Sequence, residues 1–598
     1  MCGMAEHATC CLAIKPVLQA HRASPPLTPG PSCSSFGVLK KGDIHRMPTD
    51  YTVGDLVAEF LSACGVTTVF GIASVHNIPM LDGIGRRNTI RFMMARGELG
   101  GAHMADGYAR VNQSLGVIFS STGPGAANTI GGLIEARFAG SPVLHITGQT
   151  STKFVDRGMG SVHDPVDQLG MMASVCKSAY RIRSAQSALG TLTQAATEAL
   201  TAPMGPVSVE VPIDLQRTKL ERPAMLDNFS LPVPPPRTPT DIELDELANR
   251  VIAAKRPMLW LGNGAKQAGS AAARLLDMGF GMVTSFNGRA TVPETHPRNL
   301  GGLTGSGMPI IENFYKTVDL CLVVGCRLRG HETNDFQVQL PTNLIQIDTD
   351  PRANGRTYPN QYFVCGDART TLDALATRIE GKLNIAPGYP QAFEALKRDA
   401  QSAFIDTLGA YGTFSAQLRN VMPADAIWAR DVTQNNTTWG NRVFPLNAPN
   451  LNVYPVGAGI GQGLCLGIGA AAAAAGRKTV VMTGDGGFFL NVGELWTAVQ
   501  ENLDVTVIVM NDRGYGVIKR IQDATAQGRR YYADLESPDL EKLAALSEIP
   551  FFRVSRADTF GDTVAKALAI KGLTMVEVDM TAVGDFPAYF PFNQKPAG

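Results

Sequence analysis

Asp485 and Asp512 are the residues of this chain best suited by type and spacing to do chemistry. Asp485 stands in Gly484-Asp485-Gly486, and Asn511-Asp512 follows after a gap of 24 residues. Two carboxylates with glycines beside one of them suit a hard divalent cation such as magnesium, which takes oxygen ligands and shares them with phosphates. Asp485 supplies one carboxylate oxygen, Asp512 a second, and the backbone carbonyl of Gly514 a third. Gly486 and Gly487 remove side chains where the backbone must approach a diphosphate, and the N-terminus of the following helix favours its charge. The surrounding elements fit that use. Thr479–Gly484 and Val505–Asn511 read as short buried strands, and residues 490–502 carry apolar side chains at a helical spacing. Asn491 and Glu494 resemble a capping pair at the start of that helix. Strand, helix, strand at this length is a βαβ unit with parallel neighbouring strands. Both aspartates then leave the carboxyl ends of adjacent strands, where open α/β sheets hold their ligands. A lone GDG is equally a tight turn, so the pairing of the two strand ends carries the argument.

Other groups of residues stand upstream. Glu98 lies in Arg96-Gly97-Glu98-Leu99-Gly100-Gly101-Ala102-His103, a stretch that taken alone is an exposed glutamate at a helix start with His103 packed inside the helix. Ser121-Thr122-Gly123-Pro124-Gly125-Ala126-Ala127-Asn128 is a glycine-rich turn, and Thr147-Gly148-Gln149 reads as a strand end. Gly457-Ala458-Gly459-Ile460-Gly461 and Val432-Thr433-Gln434-Asn435 are loops ahead of the GDG motif.

Together these motifs resemble the thiamine diphosphate (ThDP) enzymes, specifically the acetolactate synthase group. The resemblance runs from about residue 51 to the C-terminus. In that family the motif is GDG, a gap of similar length, then Asn-Asn, so Asp512 here replaces an asparagine. The replacement keeps an oxygen donor and adds a negative charge. The resemblance implies that Glu98 hydrogen-bonds N1′ of the cofactor's aminopyrimidine and favours the 4′-imino tautomer that takes the proton from C2. It also implies that Gln149 faces the active site and that Gln434 and Asn435 contact the diphosphate. Ile460 takes the place of the apolar residue that wedges between the cofactor rings, although ordinary core packing is the alternative. The activating glutamate and the metal ligands lie in different domains that meet across a homodimer interface in the family, so a dimer or tetramer is expected.

The substrate end departs from the pattern. The Pro-Gly-Gly-Ala loop of the pyruvate-using enzymes reads Ala73-Ser74-Val75-His76 here, and their Phe-Gln-Glu-Ala-Asp segment reads His163-Asp164-Pro165-Val166-Asp167. A tryptophan of their pocket is matched by Ile521, and Lys177 is retained nearby. His76 and His163 are therefore candidate proton relays, since imidazole titrates near neutral pH; the alternative is that each satisfies local backbone groups.

Length and composition agree with a multidomain enzyme. The chain has 598 residues, with 53 Lys plus Arg against 53 Asp plus Glu. That balance, with no basic stripe, argues against nucleic acid. The small-apolar run at 465–476 is too short to span a membrane and reads as a buried helix. Ten cysteines without a CxxC pair suit reduced thiols and a cytoplasmic setting. The expected fold class is α/β with three doubly wound parallel-sheet domains. These are a pyrimidine-binding domain at 50–220, a central Rossmann-like domain at 241–380 and a diphosphate-binding domain at 395–598, preceded by a disordered extension at 1–46 (with Met47 as a start). The first of these opens into an amphipathic helix, and 231–240 is a proline-rich linker. Gly325-Cys326-Arg327 and Ile347-Asp348-Thr349-Asp350 sit where the resembled synthases contact FAD, so FAD or ADP is a candidate for the central domain beside a plain doubly wound domain.

The expected activity is a ThDP- and Mg-dependent decarboxylase or carboligase of a 2-oxo acid, with an aldehyde or ketone as acceptor in the second case. Rivals are a ThDP-dependent acyl-CoA lyase, a flavin-dependent 2-oxoacid oxidase and a non-catalytic ThDP-binding regulatory subunit. Nothing in 586–598 marks a CoA-binding lid.

Overall fold

Most strands of this chain are short continuous apolar runs, as expected of strands covered on both faces. Val480, Val481 and Met482, or Val505, Val507, Ile508 and Val509, are fully buried in succession. A computed structural model describes residues 50–587. The extension read at 1–46 and the start at Met47 lie outside the described residues, as does 588–598.

The first sheet contains β1 (Thr68–Gly71), β2 (Arg91–Met94), β3 (Gly116–Ser120), β4 (Val143–Gln149), β5 (Ser178–Arg181) and β6 (Val207–Pro212), in the order β2-β1-β3-β4-β6-β5. The second contains β7 (Pro257–Leu261), β8 (Gly281–Thr284), β9 (Leu320–Val324), β10 (Leu344–Asp348) and β11 (Tyr362–Cys365), in the order β11-β10-β9-β7-β8. The third contains β12 (Ile427–Arg430), β13 (Asn452–Val453), β14 (Thr479–Gly484), β15 (Val505–Asn511), β16 (Phe551–Val554) and β17 (Thr574–Asp579), in the order β13-β12-β14-β15-β17-β16. All pairings among these strands are parallel. The protein is thus α/β with three parallel-sheet domains. The first and third sheets share one strand order, so the chain holds the same topology twice.

The helix over Val53–Ala63 starts at a capping box between Thr52 and Asp55, and no regular element lies between Asn228 and Asp241. Sheets one and three are joined by the helices Glu98–Asn112 and Gly463–Ala472. Met104 and Ile118 from one side share a core with Leu466 and Val481 from the other. Those two helices approach to backbone contact. A Cβ on Gly107 would lie 2.1 Å from the Leu466 carbonyl oxygen, and one on Gly469 would lie 1.9 Å from that of Met104. Among the described residues, no helix is long and apolar enough to cross a membrane.

One local expectation is corrected. In place of a single helix over 490–502, helical structure already runs over Asp485–Leu490, breaks at Asn491, makes a short 3-10 turn at Val492–Glu494 and resumes over Leu495–Gln500. Asn491 and Glu494 form no capping pair there. Asn491 Nδ2 instead donates to the Gly461 carbonyl at 2.6 Å, and Glu494 turns toward the first sheet. Both side chains found stronger partners in another part of the fold than a local cap offers.

Candidate active site

The third sheet reverses its strand order between β12 and β14, and a crevice at the carboxyl ends of strands opens at such a point. Asp431 leaves β12 there and Asp485 leaves β14. Asp431 is fully buried. Its carboxylate accepts from the amides of Val432 (2.7 Å), Gly461 (3.1 Å) and Gly463 (2.9 Å), which ties the Ile460 loop to the strand end. Burial pushes its carboxyl up to about 6, against those amide bonds. The sequence reading passed over Asp431; an acidic residue directly after an apolar strand, ahead of the glycine loop, was the available signal.

β14 and β15 are paired neighbours, with Gly484 opposite Met510. Asp485 and Asp512 therefore emerge side by side. Asp485 Oδ2 accepts from the Gly514 amide at 3.0 Å and from Ser537 Oγ at 3.4 Å, while Oδ1 is buried without a hydrogen-bond partner. Burial is the first cause that raises the carboxyls of both aspartates, and the facing Asp485 is the second for Asp512. A buried carboxylate oxygen with no donor, beside a second carboxylate, is a place where a cation relieves both desolvation and repulsion. The residues present fit a divalent metal with hard oxygen ligands. Among the described residues no group of three or more His, Cys, Asp or Glu is placed to hold a metal, so the two aspartates would need backbone and phosphate oxygens beside them. Asn511 has a different task, donating to Glu577 Oε1 at 2.7 Å.

The glycines of the motif serve the protein's own packing. A Cβ on Gly486 would lie 2.7 Å from the Tyr515 ring, and one on Gly487 would lie 3.1 Å from Asp431 Oδ2. Gln434 Nε2 donates to the Gly516 carbonyl at 2.7 Å. The Asn435 side chain turns into the core. There its Oδ1 accepts from Trp439 Nε1 at 2.7 Å and its Nδ2 reaches the Met580 sulfur at 3.7 Å. Ile460 is not a core residue: it is 43% exposed, next to Leu490 at 52%. Leu490 packs close to Gly461, whose φ of +84° only glycine adopts without strain.

On the first sheet Glu98 is the first residue of its helix, after Gly97 at the N-cap. Its half-buried carboxylate accepts from Asn128 Nδ2 at 3.2 Å. His103 is packed in that helix, but its Nδ1 has no partner, and burial holds its pKa down to about 4. Gln149 is buried at the end of β4 with its amide engaged. Its Oε1 accepts from Thr122 Oγ1 at 3.2 Å and its Nε2 donates to Glu210 Oε2 at 3.3 Å. Gln168 completes this network through Gly123 N (2.7 Å) and Glu210 (2.9 Å), and Arg181 pairs with Glu210. Gln149 therefore braces the Thr122-Gly123 turn. Gln168 and Glu210 were missed from sequence, being polar residues on unrelated segments.

The fold brings His76 and His163 together, with ring centroids 5.5 Å apart. His76 follows β1 and abuts β4, since a Cβ on Gly148 would lie 2.7 Å from the His76 Cβ; His163 abuts the turn after β3 through Gly123. His76 Nδ1 is buried without a partner. Burial, then His163, lowers its pKa. Lys177 lies elsewhere, capping a helix end through the carbonyls of Glu198 and Thr201.

A separate cavity of about 430 Å³ lies between the first and second sheets. Arg327, Ile347 and Asp348 at the ends of β9 and β10 line it, with Lys266 and Arg110. Burial, then Arg110, pushes the Lys266 ammonium down to about 7, and burial raises the Asp348 carboxyl.

Comparison with known proteins gives the same division of the chain. Residues 51–171 match the N-terminal TPP binding domain of thiamine pyrophosphate enzymes, 244–375 the central domain and 431–578 the C-terminal TPP binding domain. A protein of Pseudomonas aeruginosa named probable 2-ketoarginine decarboxylase is 31% identical over 519 residues, covering 82% of this chain and 90% of that relative. The chain belongs to the thiamine pyrophosphate enzymes. Within that family it is similar to the acetolactate synthase isozyme 1 large subunit of Escherichia coli, at 27% identity over 79% of this chain and 84% of the relative. The probable acetolactate synthase large subunit of Methanocaldococcus jannaschii matches at 26% over 86% and 89%. This thiamine pyrophosphate enzyme is thus of the acetolactate synthase-like group, whose members make or break carbon–carbon bonds.

Proposed function

We propose that the protein is a magnesium- and thiamine diphosphate-dependent decarboxylase or carboligase of a 2-oxo acid, working as a homo-oligomer. The observation that carries the reading is the pair Asp485 and Asp512 at adjacent strand ends, with Asp485 Oδ1 buried and unpartnered. Asp485, Asp512 and the Gly514 carbonyl hold the metal, and the backbone of Gly486 and Gly487 with Gln434 holds the diphosphate. When bound, thiamine diphosphate supplies the nucleophilic carbon and accepts the electrons left by departing carbon dioxide. Glu98 holds a proton at the pyrimidine N1′. The exposed Ile460 side chain supports the cofactor's bend. His76 and His163 deliver or take a proton at the reacting carbon, a role supported by their contact and by the buried, unpartnered His76 Nδ1.

The six cysteines among the described residues are all free thiols, which supports a cytoplasmic setting. For the central cavity we propose a nucleotide, FAD or ADP, on the strength of its volume and of Arg327 and Asp348 at adjoining strand ends. Visible absorbance and nucleotide release on denaturation test that occupant.

The experiment for the main reading is purification with thiamine diphosphate and magnesium. A 2-oxo acid panel that includes pyruvate and 2-ketoarginine is then scored for carbon dioxide and for ligated products. Full turnover by Glu98→Gln with cofactor bound would overturn the role assigned to Glu98.

A further inference from the structure

The helix that carries Glu98 begins without a cap of its own. Gly97 occupies its N-cap position and has no side chain to accept from the first free amides, which an uncapped helix leaves unsatisfied. An acceptor for the two amides that lead into the helix comes from a different sheet. Glu494, 3% exposed, reaches across from the third-sheet domain. Its Oε1 accepts from the Arg96 amide at 2.9 Å and the Gly97 amide at 2.9 Å, and its Oε2 lies 3.1 Å from the Arg96 amide. Thr497 Oγ1 donates to Oε2 at 2.7 Å and fixes the carboxylate from its own side. The Arg96 guanidinium adds a second tie to the same element, donating to Gln500 Oε1 at 2.8 Å.

The fit is specific. A Cβ on Gly100 would lie 2.3 Å from Glu494 Oε1, so glycine at that position admits the carboxylate to the helix end. A negative group at a helix N-terminus also complements the helix dipole. Along the chain, Glu494 sits on the same short stretch as the metal-side residues. Asp485 opens it, Leu490 packs at Gly461, and Asn491 binds the Gly461 carbonyl beside Ile460. One ten-residue stretch (485–494) thus touches the candidate metal site, the Ile460 loop and the base of the Glu98 helix.

We propose that Glu494 is a positioning residue: its buried carboxylate holds the Arg96 and Gly97 amides at the entry to the Glu98 helix and fixes the direction in which Glu98 leaves the first turn. The inference rests on the reading of Glu98 as the group that activates the cofactor. The hydrogen bonds of the Glu494 carboxylate are all with Arg96, Gly97 and Thr497.

The test uses the full-length protein and Glu494→Gln, which keeps size and one acceptor but turns an amide NH2 toward a second donor. In the cofactor-free protein, hydrogen exchange of the peptide spanning Arg96–Gly101 is expected to speed up by roughly tenfold, with distant peptides unchanged. In the loaded protein, the dissociation constant for thiamine diphosphate is expected to stay within about threefold, while deuterium exchange at the cofactor C2 slows by about tenfold or more. Glu494→Gln combined with Glu98→Gln should be no slower than Glu98→Gln alone. Gly100→Ala, which displaces the carboxylate and leaves its charge, should give the same pattern and covers the case in which Glu494→Gln fails to fold. Unchanged C2 exchange in both variants, with Glu98→Gln inactive, overturns the positioning role. If Glu98→Gln itself exchanges C2 at the wild-type rate, the reading of Glu98 falls, and exchange of the Arg96–Gly101 amides alone decides whether Glu494 holds the helix entry.

Discussion

At the scale of single residues, two aspartates and a buried histidine behave differently because of what surrounds them. Asp485 has one oxygen satisfied by the Gly514 amide and one with no donor. Asp485→Asn replaces one carboxylate oxygen with an amide nitrogen that cannot bind a cation, and magnesium-dependent cofactor affinity should fall by about tenfold or more in calorimetric titration. Asp512→Asn keeps an oxygen donor and removes a repulsive charge, so cofactor binding should persist in the same assay. His145 lies buried between Ser120 Oγ (2.8 Å) and Ser208 Oγ (2.9 Å), and burial depresses its pKa from 6.5 to about 3. A depressed folded-state value means that the unfolded chain takes up the proton first. Stability is therefore intact above pH 6.5 and drains away as pH falls toward the folded value. The urea midpoint should drop as pH is lowered through this window, and His145→Asn should flatten that dependence. The aspartate pair was legible in sequence because the spacing of two strands fixes where their ends lie. The Gln149, Gln168 and Glu210 network was not, because three polar residues on separate segments meet only after the sheet forms.

At the scale of elements, the crossing of the Glu98–Asn112 and Gly463–Ala472 helices joins the first and third sheets at backbone distance. Gly107 faces the Leu466 carbonyl and Gly469 faces that of Met104, so neither position has room for a methyl group. Gly107→Ala or Gly469→Ala should each cost about 1–3 kcal/mol through forced separation of the helices, read as a lower denaturation midpoint with the slope preserved. Periodicity located the strands at Thr479–Gly484, Val505–Asn511, Pro257–Leu261 and Leu320–Val324 with their observed limits. It failed over 490–502, where a helical spacing of apolar residues concealed a break at Asn491. The break exists because Asn491 and Glu494 are held by Gly461, Arg96 and Gly97, none of which is local in sequence.

At the scale of the whole molecule, the repeated strand order of the first and third sheets sets two similar crevices, one with Glu98, His76 and His163 and one with Asp485 and Asp512. Ile460 and Leu490, both apolar and about half exposed, border the second. Under the proposed homo-oligomer, Glu98 of one chain serves the cofactor held by another. Mixing Glu98→Gln chains with Asp485→Asn chains through a dissociation and reassembly step should then restore about a quarter of wild-type activity, since half the random dimers hold one intact site. No recovery would mean that each site is complete within a chain.

The sequence by itself determined the cofactor family, the α/β sheets and the paired strand ends. Those follow from local periodicity, short motifs and the rule that parallel strands present their carboxyl ends together. Only the tertiary structure decided that Asp431 ties down the Ile460 loop, that Asn435 turns into the core, that His76 meets His163, and that Glu494 binds the Arg96 and Gly97 amides ahead of the Glu98 helix. Each of these is a contact between segments far apart in the chain. A buried polar group takes whichever partner the packed fold supplies, and its neighbours in sequence do not reveal which.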